Sequence, residues 1–587
     1  MLCSLLSSNL MVIGGPASPR QSGPEDLEPN ASPTIALEDI PLQASRPLGP
    51  PPPRAQDDAL SWGPAEPYCD WPEEGLTPLG LKPLEPGPGD IVIRGHEVWE
   101  DQVRVVSSNI IIENQSSLTL VNTTLIFRCP SPGQYQLRVK SGGSLYVSGN
   151  SLLTAEEADK QFHIVVEAGA TLRMSSSEVR YCGYYWTIPG LTIFTQDAVI
   201  EDCVLRYNFI GVYCYNRSVV ALRSCELTDN QVDGLFCQAS NATLEDCVLS
   251  RNGANGARAY MASNVVLDGC VLEHNGGDGA DCFRAETFEA RDCRFAWNGG
   301  FGIEIFGARN PCTIVDNEFV GDSIYIFGTS ADGYVHDIRD NTVNGKPMLY
   351  LLNAHGTTIH GGVGCVILAN CSNVVVDGVN ASGTDIGVFA YSTTDLLIRD
   401  CLLAQDMWGI YARYSEVEVE DCLLDGDSEG AIYAYRSTIR ASSCSAEGGG
   451  TFLFAEKSTI TMEDCSFRRG GIGIHLDDCV SADLRDCAIR SVSGSGILCS
   501  NTTLTARDCL VNDTVWYGIY CQGSSVELRN CSVSWAGANG ICLEDCPSAL
   551  VLNCSIVWSH WSGISCASSN LTLSGCTIAF NCYYDGL

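Results

Sequence analysis

The feature that most constrains the fold is a short phrase, Val199 to Leu205, that recurs along most of the chain. Within each of two runs the copies are spaced 21 to 23 residues apart. Aligned on its cysteine, the phrase occurs at Cys203, Cys225, Cys247, Cys270, Cys293, Cys401, Cys422, Cys444, Cys465, Cys487, Cys509, Cys531, Cys554 and Cys576. Such a period indicates one structural unit stacked many times.

Each period contains three short apolar pieces. In the first copy, Ile200 precedes the cysteine, Leu205 follows it, and Val212 begins a third piece after Gly211. No piece is long enough for a helix, and the pieces alternate with turn residues. The pattern predicts an all-β solenoid of parallel coils with about 22 residues per coil.

Cysteine placement in the 31-cysteine chain argues against a disulfide framework. A second column, half a coil from the first, contains Cys214, Cys237, Cys282, Cys499, Cys521 and Cys566. Stacked residues of parallel coils lie about 4.8 Å apart with parallel Cβ vectors, whereas a disulfide needs converging Cβ atoms about 3.8 Å apart. We therefore expect a ladder of packed free thiols, and no metal site, because parallel inward thiols do not converge on one ion.

Cysteines outside the columns are the candidates for disulfides. They are Cys365 with Cys371, Cys542 with Cys546, and in addition Cys479 and Cys582. These residues do not share the stacked geometry that excludes bridging within the columns.

Asparagines occupy related positions. Asn317 and Asn341 fill the cysteine position where that column lapses, and a second series precedes the glycine turn at Asn208, Asn230, Asn252, Asn275 and Asn298. Asparagine tolerates left-handed corners and can stack as a hydrogen-bonded ladder. Both sets predict asparagine ladders.

Charge excludes one class of partner. The net charge is −36, and only five of the 34 basic residues are lysine, which argues against nucleic acid binding. A column of corner aspartates includes Asp202, Asp246, Asp292, Asp400, Asp421, Asp464, Asp486 and Asp508. Ordinary turn aspartates beside ion pairs explain this column, and calcium binding is the alternative.

Composition divides the chain into four parts. Residues 1–15 form a weak or truncated signal-like segment, and residues 16–89 form a linker that contains most of the 24 prolines, for which we expect disorder. Residues 90–194 are expected to form irregular coils, with a short helical excursion at Ala155–Asp159, and residues 195–587 regular coils. The sequence stops inside a coil, which predicts a missing C-terminal region or end-on association.

Export is the expected fate of the chain. Twelve Asn-x-Ser/Thr sequons favour an extracellular or cell-surface location, and no stretch is long and apolar enough to cross a bilayer.

Two segments carry a resemblance to a known family. The coil phrase, with Asp-Asn or Asp-Cys at the corner, is similar to the repeat of pectin-lyase-like right-handed parallel β-helices. Residues Asp340–Tyr350 and Val366–Val376 resemble NosD-like "carbohydrate-binding and sugar hydrolysis" proteins, many of them predicted archaeal surface proteins. The resemblance covers roughly residues 90–587 and implies the fold. It does not select an activity, because this architecture serves lyases, hydrolases, epimerases and adhesins.

Candidate catalytic residues are acidic. Asp233 and Asp278 each precede a glycine on coils two apart, with His274 and Asp281 near the latter. Uronate epimerases and lyases use comparable groups, whereas Asp-Gly is also ordinary turn chemistry.

Aromatic residues crowd the C-terminal third. Trp516, Tyr517, Trp535, Trp558 and Trp561 lie there, and the equal offsets of Trp535 and Trp558 from their glycines predict stacking on adjacent coils. Exposed aromatic rings bind sugar rings, and packing along a coil flank is the alternative.

Together these observations favour an exported or cell-surface scaffold that binds polysaccharide or a partner protein without catalysis. The alternative is a polysaccharide lyase, hydrolase or epimerase acting on acidic glycans.

Overall fold

The structure is a computed structural model that describes residues 86–328 and 330–582. It is an all-β parallel solenoid of about 22 turns. The signal-like segment 1–15 and the proline-rich segment as far as residue 85 lie outside the described residues. The only helix in the described part is a 3-10 turn at Ala331–Tyr334.

A first segment contains three parallel sheets of 11 strands each. Sheet I consists of Ile91–Ile93, Ile110–Ile112, Gln136–Val139, His163–Val166, Gly190–Ile193, Ile210–Tyr215, Leu235–Gln238, Ala257–Tyr260, Ala280–Phe283, Ile303–Phe306 and Ile324–Phe327. Sheet II consists of His96–Glu100, Ser117–Val121, Ser144–Ser148, Thr171–Ser175, Ala198–Glu201, Val219–Arg223, Asn241–Glu245, Asn264–Asp268, Thr287–Arg291, Thr313–Val315 and Asp337–Arg339. Sheet III consists of Val103–Val106, Thr124–Phe127, Leu152–Ala155, Glu178–Arg180, Val204–Arg206, Glu226–Thr228, Val248–Ser250, Val271–Glu273, Arg294–Ala296, Glu318–Val320 and Thr342–Val343.

A second segment repeats this plan with sheets of 11, 11 and 7 strands. Sheet IV consists of Lys346–Leu352, Cys365–Ala369, Ile386–Tyr391, Trp408–Arg413, Gly430–Tyr435, Thr451–Glu456, Ile474–Asp477, Ile497–Ser500, Ile519–Gln522, Ile541–Glu544 and Ile564–Ala567. Sheet V consists of Thr358–His360, Ser372–Asp377, Thr394–Arg399, Glu416–Glu420, Thr438–Ser442, Thr459–Glu463, Ser481–Arg485, Thr503–Arg507, Ser525–Arg529, Ser548–Leu552 and Leu571–Ser574. Sheet VI consists of Ser445–Glu447, Ser466–Arg468, Ala488–Val492, Leu510–Thr514, Ser532–Ala536, Ser555–Val557 and Thr577–Ala579.

The two segments are joined by a hairpin that reverses the strand direction. Val343 pairs antiparallel with Lys346 across a turn at Asn344 and Gly345, whose φ angles are +52° and +74°. Two consecutive positive φ angles are what an Asn-Gly hairpin turn provides. All other pairings between the described strands are parallel.

The reversal places the outward face of sheet IV over the end of the first core. Side chains alternate between faces along a strand. Val366 and Val388 face the core of their own segment, whereas Ile367 and Phe389 pack with the core of the first segment. The second segment therefore covers the end of the first.

Asp385, in the second segment, forms hydrogen bonds across the joint where the two segments meet. Its Oδ2 accepts backbone hydrogen bonds from Ser323 at 2.5 Å and from Gly302 at 3.3 Å, both in the first segment. Tyr350 donates its hydroxyl hydrogen to the carbonyl oxygen of Tyr334.

The predicted asparagine ladders are present. Nδ2 of Asn252 donates to Oδ1 of Asn275 at 2.9 Å and to the carbonyl oxygen of Leu227 at 3.0 Å. The pair at the cysteine position behaves in the same way, with Nδ2 of Asn317 lying 3.0 Å from Oδ1 of Asn341. Each amide serves as both donor and acceptor, so the corner polar groups are satisfied in the interior.

The cysteine columns consist of free thiols, as predicted, and all of these except Cys566 and Cys576 are buried. All 29 cysteines within the described ranges are unbridged, and 26 of them are buried. Sγ of Cys225 lies 3.3 Å from the carbonyl oxygen of Ile200 and 3.2 Å from that of Arg223. A thiol therefore donates to a backbone carbonyl, as the Asn317 amide does toward Ala290 at 2.9 Å.

The predicted disulfides outside the columns are wrong. Cys365 begins the strand Cys365–Ala369 and Cys371 lies two residues beyond its end, and the strand alone spans about 13 Å, which is more than a disulfide can bridge. Cys542 pairs in register with outward-facing Tyr520, whereas Cys546 lies in the second core, so their side chains face opposite ways.

The other two candidate cysteines are also free. Cys479 is buried and follows the strand Ile474–Asp477, while Cys582 is exposed beyond the last described strand. The predicted helical excursion at Ala155–Asp159 is wrong as well, because Ala155 ends a strand and the next residues form bends and turns.

Candidate functional site

The site begins where outward faces of the two segments meet. The hydroxyl oxygens of Tyr325 on sheet I and Tyr411 on sheet IV lie 3.1 Å apart. The Tyr325 ring is nearly perpendicular to those of Tyr411 and Phe389, with interplanar angles of 82° and 86°. These contacts bring the outward faces of sheets I and IV together, and we call the residues along this contact the junction site.

On the first segment, the junction site is an outward row of four side chains in register. Arg258 pairs with Asp281, Asp281 with Glu304, and Glu304 with Tyr325 on successive strands of sheet I. Parallel strands lie about 4.8 Å apart. The row therefore presents a closely spaced line of polar groups.

Two carboxylates share one guanidinium in this row. Nε of Arg258 lies 3.2 Å from Asp281 and 3.6 Å from Asp233. The Asp233 side chain is fully buried, whereas those of Asp281 and Arg258 retain 15% and 21% exposure. Asp281 is therefore the carboxylate of this pair that can meet a ligand.

Asp233 and Asp278 are also corner residues. Oδ1 of Asp233 accepts from the backbone N–H of Asn255 at 2.9 Å, and Oδ1 of Asn255 accepts from that of Asp278 at 2.8 Å. Asp278 continues the ladder to the N–H of Phe301 at 2.7 Å. These bonds fix both carboxylates on the coil corner beside the outward row.

The environment adapts Asp281 to proton exchange near neutrality. Burial raises the pKa of Asp281 to about 7, with Arg258 lowering it and the neighbouring Asp278 and Asp233 raising it. Burial likewise raises the pKa of Asp233, against the opposing charge of Arg258. A carboxyl group with such a pKa can act as a general acid or base.

Stacked aromatic rings flank the charged row on both segments. On sheet I, Tyr260, Phe283, Phe306 and Phe327 stack with centroid separations of 5.2, 5.0 and 4.7 Å. On sheet IV, Phe389, Tyr411, Tyr433 and Phe454 stack with separations of 5.7, 4.4 and 5.7 Å. Tyr260, Phe327, Phe389 and Tyr433 are buried, whereas Phe283, Phe306, Tyr411 and Phe454 are partly exposed, so these four rings are the members of the two columns that can meet a ligand.

The structure brings together three of the four catalytic candidates. Asp233, Asp278 and Asp281 cluster around Arg258, whereas His274 is exposed in the turn after sheet III with φ +56°. No hydrogen bond or ion pair joins His274 to them in the part of the chain that the structure describes. A catalytic role for these residues stays a prediction.

Sequence reasoning missed the other members of the junction site, Arg258, Glu304, Tyr325, Tyr411 and Tyr433. Their signal was large or charged residues at outward positions of otherwise apolar strands. The reversal that brings them together does not follow from the repeat period.

The tryptophans form a second aromatic surface. Trp535 and Trp558 stack as predicted, with centroids 5.4 Å apart and planes 7° apart, and Phe580 continues the stack at 4.5 Å. Trp516 and Trp561 are 57% and 53% exposed. The carbonyl oxygen of Trp516 accepts from the backbone N–H of Ala538, and the backbone N–H of Trp561 donates to the carbonyl oxygen of Ala538. The ring centroids of Tyr517 and Tyr520 lie 5.1 Å apart.

Metal binding has no built site in the described residues, where no group of three or more His, Cys, Asp or Glu side chains could hold an ion. Beside the corner aspartates, Arg223 pairs with Glu201 and Glu245, each at 2.9 Å. Within the same ranges, no helix is long and apolar enough to cross a membrane.

Solved structures similar to this chain share low sequence identity with it. The periplasmic alginate epimerase AlgG is 12% identical with a TM-score of 0.24, over 63% of this chain and 77% of that one. The mannuronan C-5 epimerase AlgE4 A-module of Azotobacter vinelandii is 12% identical with a TM-score of 0.24, over 64% and 87%. A mutant tailspike protein of E. coli bacteriophage HK620, in complex with a pentasaccharide, is 10% identical with a TM-score of 0.25, over 80% and 74%.

Family membership follows from the sequence itself. No curated protein matches the chain. The profile of the family described as "Right handed beta helix region" matches residues 193–345, 408–525 and 517–586, which is more than half of the chain. The protein therefore belongs to the right-handed β-helix family.

Proposed function

We propose that this protein binds polysaccharide at the junction site. The observation that carries the proposal is the pair of stacked aromatic columns beside the row Arg258, Asp281 and Glu304. Sugar rings present C–H faces that pack on aromatic rings and hydroxyls that bond to charged side chains. A row repeated at the strand spacing suits a chain ligand better than a small compact one.

The tryptophan surface supports the same function. Trp535 is 50% exposed and stacks with Trp558, so the pair offers a flat apolar face to solvent. Exposed aromatic patches of this kind mark binding surfaces. A polymer could occupy this surface in addition to the junction site.

An exported or cell-surface location fits this function. The twelve sequons and the resemblance of Asp340–Tyr350 to NosD-like carbohydrate-binding proteins support it. A partner protein remains the alternative ligand for the tryptophan surface.

Catalysis on an acidic glycan is the second candidate function. It is favoured by Asp281, whose pKa is about 7 and which lies 3.2 Å from the shared Arg258. Such a carboxyl group could move a proton to or from a sugar, as lyases, hydrolases and epimerases require.

Binding to immobilised neutral and acidic polysaccharides, measured with the full chain, tests the proposal. We expect Phe283→Ala, at a partly exposed ring beside Asp281, to weaken binding at least tenfold and Trp535→Ala/Trp558→Ala to weaken it less. Val480→Ala, at an exposed residue remote from both surfaces in sequence, is the control. Binding that is unchanged in Phe283→Ala would overturn the junction site as the binding surface.

Turnover separates the two functions. New reducing ends, unsaturated products or epimerised residues that depend on Asp281 would establish catalysis. Asp281→Asn that retains binding while abolishing turnover identifies an enzyme, whereas wild type that binds without turnover identifies a binding scaffold.

A further inference from the structure

Among the described residues, Arg413 is a buried cation without a carboxylate partner. It ends the strand Trp408–Arg413 on sheet IV and is 8% exposed. Its Nη1 is buried and has no hydrogen-bond partner among the described residues. A buried charge left unpaired is strongly destabilising.

Aromatic rings enclose the guanidinium. Its Cζ lies 4.3 Å from the ring centroid of Phe327, 5.4 Å from that of Tyr435 and 5.9 Å from that of Tyr414. These contacts stabilise a cation in part. They do not supply the acceptors that its N–H groups need.

Tyrosine hydroxyls are the polar groups around Arg413. Arg413 pairs in register with Tyr391, whose ring stacks with that of Tyr334 at 3.8 Å between centroids, and Tyr411 lies two residues before Arg413 on the same strand. The phenols of Tyr325, Tyr334, Tyr411 and Tyr433 interact electrostatically with the guanidinium. Burial raises the pKa of each of these tyrosines, so the phenols stay neutral.

One of these phenols also has no partner for its hydroxyl. The Tyr334 side chain is fully buried, and its Oη has no hydrogen-bond partner in the described part of the chain. A guanidinium N–H and a phenol O–H thus lie unsatisfied in one cluster. Buried donors of this kind require a partner, such as an ion or a water.

The carboxylate in the same row is already engaged. Glu456 is separated from Arg413 by the strand of Tyr435, and it pairs with Lys457 at 2.5 Å. It therefore does not neutralise Arg413.

We propose that Arg413 and the hydroxyl of Tyr334 bind a monovalent anion at the joint between the two segments. One cation surrounded by neutral donors matches a single negative charge, and a multivalent anion would bring uncompensated charge into the interior. The anion is either a free halide or a carboxylate carried by a glycan. The glycan source rests on the proposed function, whereas the halide source does not.

Thermal unfolding of the full chain tests the halide source. Sodium bromide replaces sodium fluoride at constant ionic strength, so valence is matched while the more weakly hydrated ion is supplied. Because a ligand that binds only the folded state raises its unfolding temperature, we expect a saturable rise of a few degrees for wild type. Arg413→Gln should lose the rise, and Tyr334→Phe should reduce it.

Arg436→Gln is the matched control. Arg436 contacts the rings of Tyr414 and Tyr435 at 5.9 and 5.4 Å, as Arg413 does, but it is exposed. It should keep the bromide response. Crystals soaked in bromide should show an anomalous peak beside Arg413.

The glycan arm uses oligogalacturonate against a neutral oligosaccharide in fluoride buffer. A shift with oligogalacturonate alone, lost in Arg413→Gln, assigns the anion to a carboxylate. If wild type and Arg413→Gln respond identically in both arms and crystals show no peak, the anion site is excluded. Loss of glycan binding with a retained bromide response would overturn the proposed function and leave the anion site intact.

Discussion

The two segments build the same coil corner with different side chains. In the first segment, asparagines such as Asn230 and Asn252 occupy the position before the glycine turn, and in the second segment Asp406 and Asp427 occupy it. All of these side chains accept a backbone N–H from the preceding coil. Only the amides also donate, because an ionised carboxylate has no hydrogen to give.

The missing donor has an electrostatic consequence. Oδ2 of Asp406 and of Asp427 are buried without a hydrogen-bond partner among the described residues. Burial raises the pKa of Asp427 to about 7, with a backbone hydrogen bond from Asp406 lowering it and Asp425 raising it. A protonated carboxyl group can replace the amide, so the corners formed by Asp406 and Asp427 depend on pH, whereas those formed by Asn230 and Asn252 do not.

The largest effect is expected when the amide ladder receives a carboxylate. Asn252→Asp removes the donor to Leu227 and Asn275 and places a charge in the interior, so it should lower the free energy of unfolding by about 3 kcal/mol at pH 8. The loss should shrink at pH 5, where the new group can be protonated. Urea denaturation measures it, and Asn264→Asp at a more exposed position is the control. Equal losses in both variants would remove the distinction between the segments.

The reverse change should stabilise the second segment. The folded-state pKa of Asp427, about 7, exceeds the usual value of 3.8. Its contribution to stability is therefore complete below about pH 4 and is lost as the pH rises through 7. Asp427→Asn should match wild type near pH 4 and exceed it by about 2 kcal/mol at pH 8. A constant difference across this range would contradict the raised pKa.

A smaller effect should distinguish two positions of the first cysteine column, one in each segment. Cys293 donates its backbone N–H to Oδ1 of Asn317, so Cys293→Asn extends an existing amide ladder. Cys465 lies between the thiols of Cys444 and Cys487, where a new amide finds no amide acceptor. We expect a change below about 1 kcal/mol for Cys293→Asn and a loss of about 1 to 2 kcal/mol for Cys465→Asn. Comparable losses of stability for the two variants in thermal denaturation would mean that the neighbouring side chains do not determine whether asparagine is tolerated at the cysteine position.

The smallest effect is expected on the surface. The side chains of Arg223 and its partners Glu201 and Glu245 are 44 to 47% exposed. Arg223→Ala should therefore change the free energy of unfolding by at most about 0.5 kcal/mol, and less in high salt. A loss above about 1 kcal/mol in urea denaturation would show that ion pairs, and not only corner ladders, stabilise the first segment.

The repeat could be predicted from the sequence because its information is local. The substitution of Asn317 and Asn341 at the cysteine position showed that the side chain fills a corner, and the structure confirms that ladder. Stacked coils impose the same requirement at every period, so many weak signals agree.

The joint was not predicted, although one of its signals was visible. Asn344-Gly345, between Val343 and Lys346, is a dipeptide typical of hairpin turns, but the repeat period predicts one more parallel coil at this place. Candidate carboxylates were found because Asp233 and Asp278 recur in register. Tyr411 lies about 130 residues beyond Asp281 and reaches the junction site only through the reversal, which no periodic pattern encodes.

The hairpin at Asn344 and Gly345 also limits how this protein can grow. Repeat proteins lengthen readily by duplicating a coil, and an added coil near Asn230 would leave the joint untouched. A coil inserted between Asp281 and Tyr325, or between Lys346 and Tyr411, would shift one outward row past the other by one strand spacing. The hairpin therefore fixes the register between the two outward rows. In related proteins, the number of coils should vary at the far ends of the two segments and stay constant beside the hairpin.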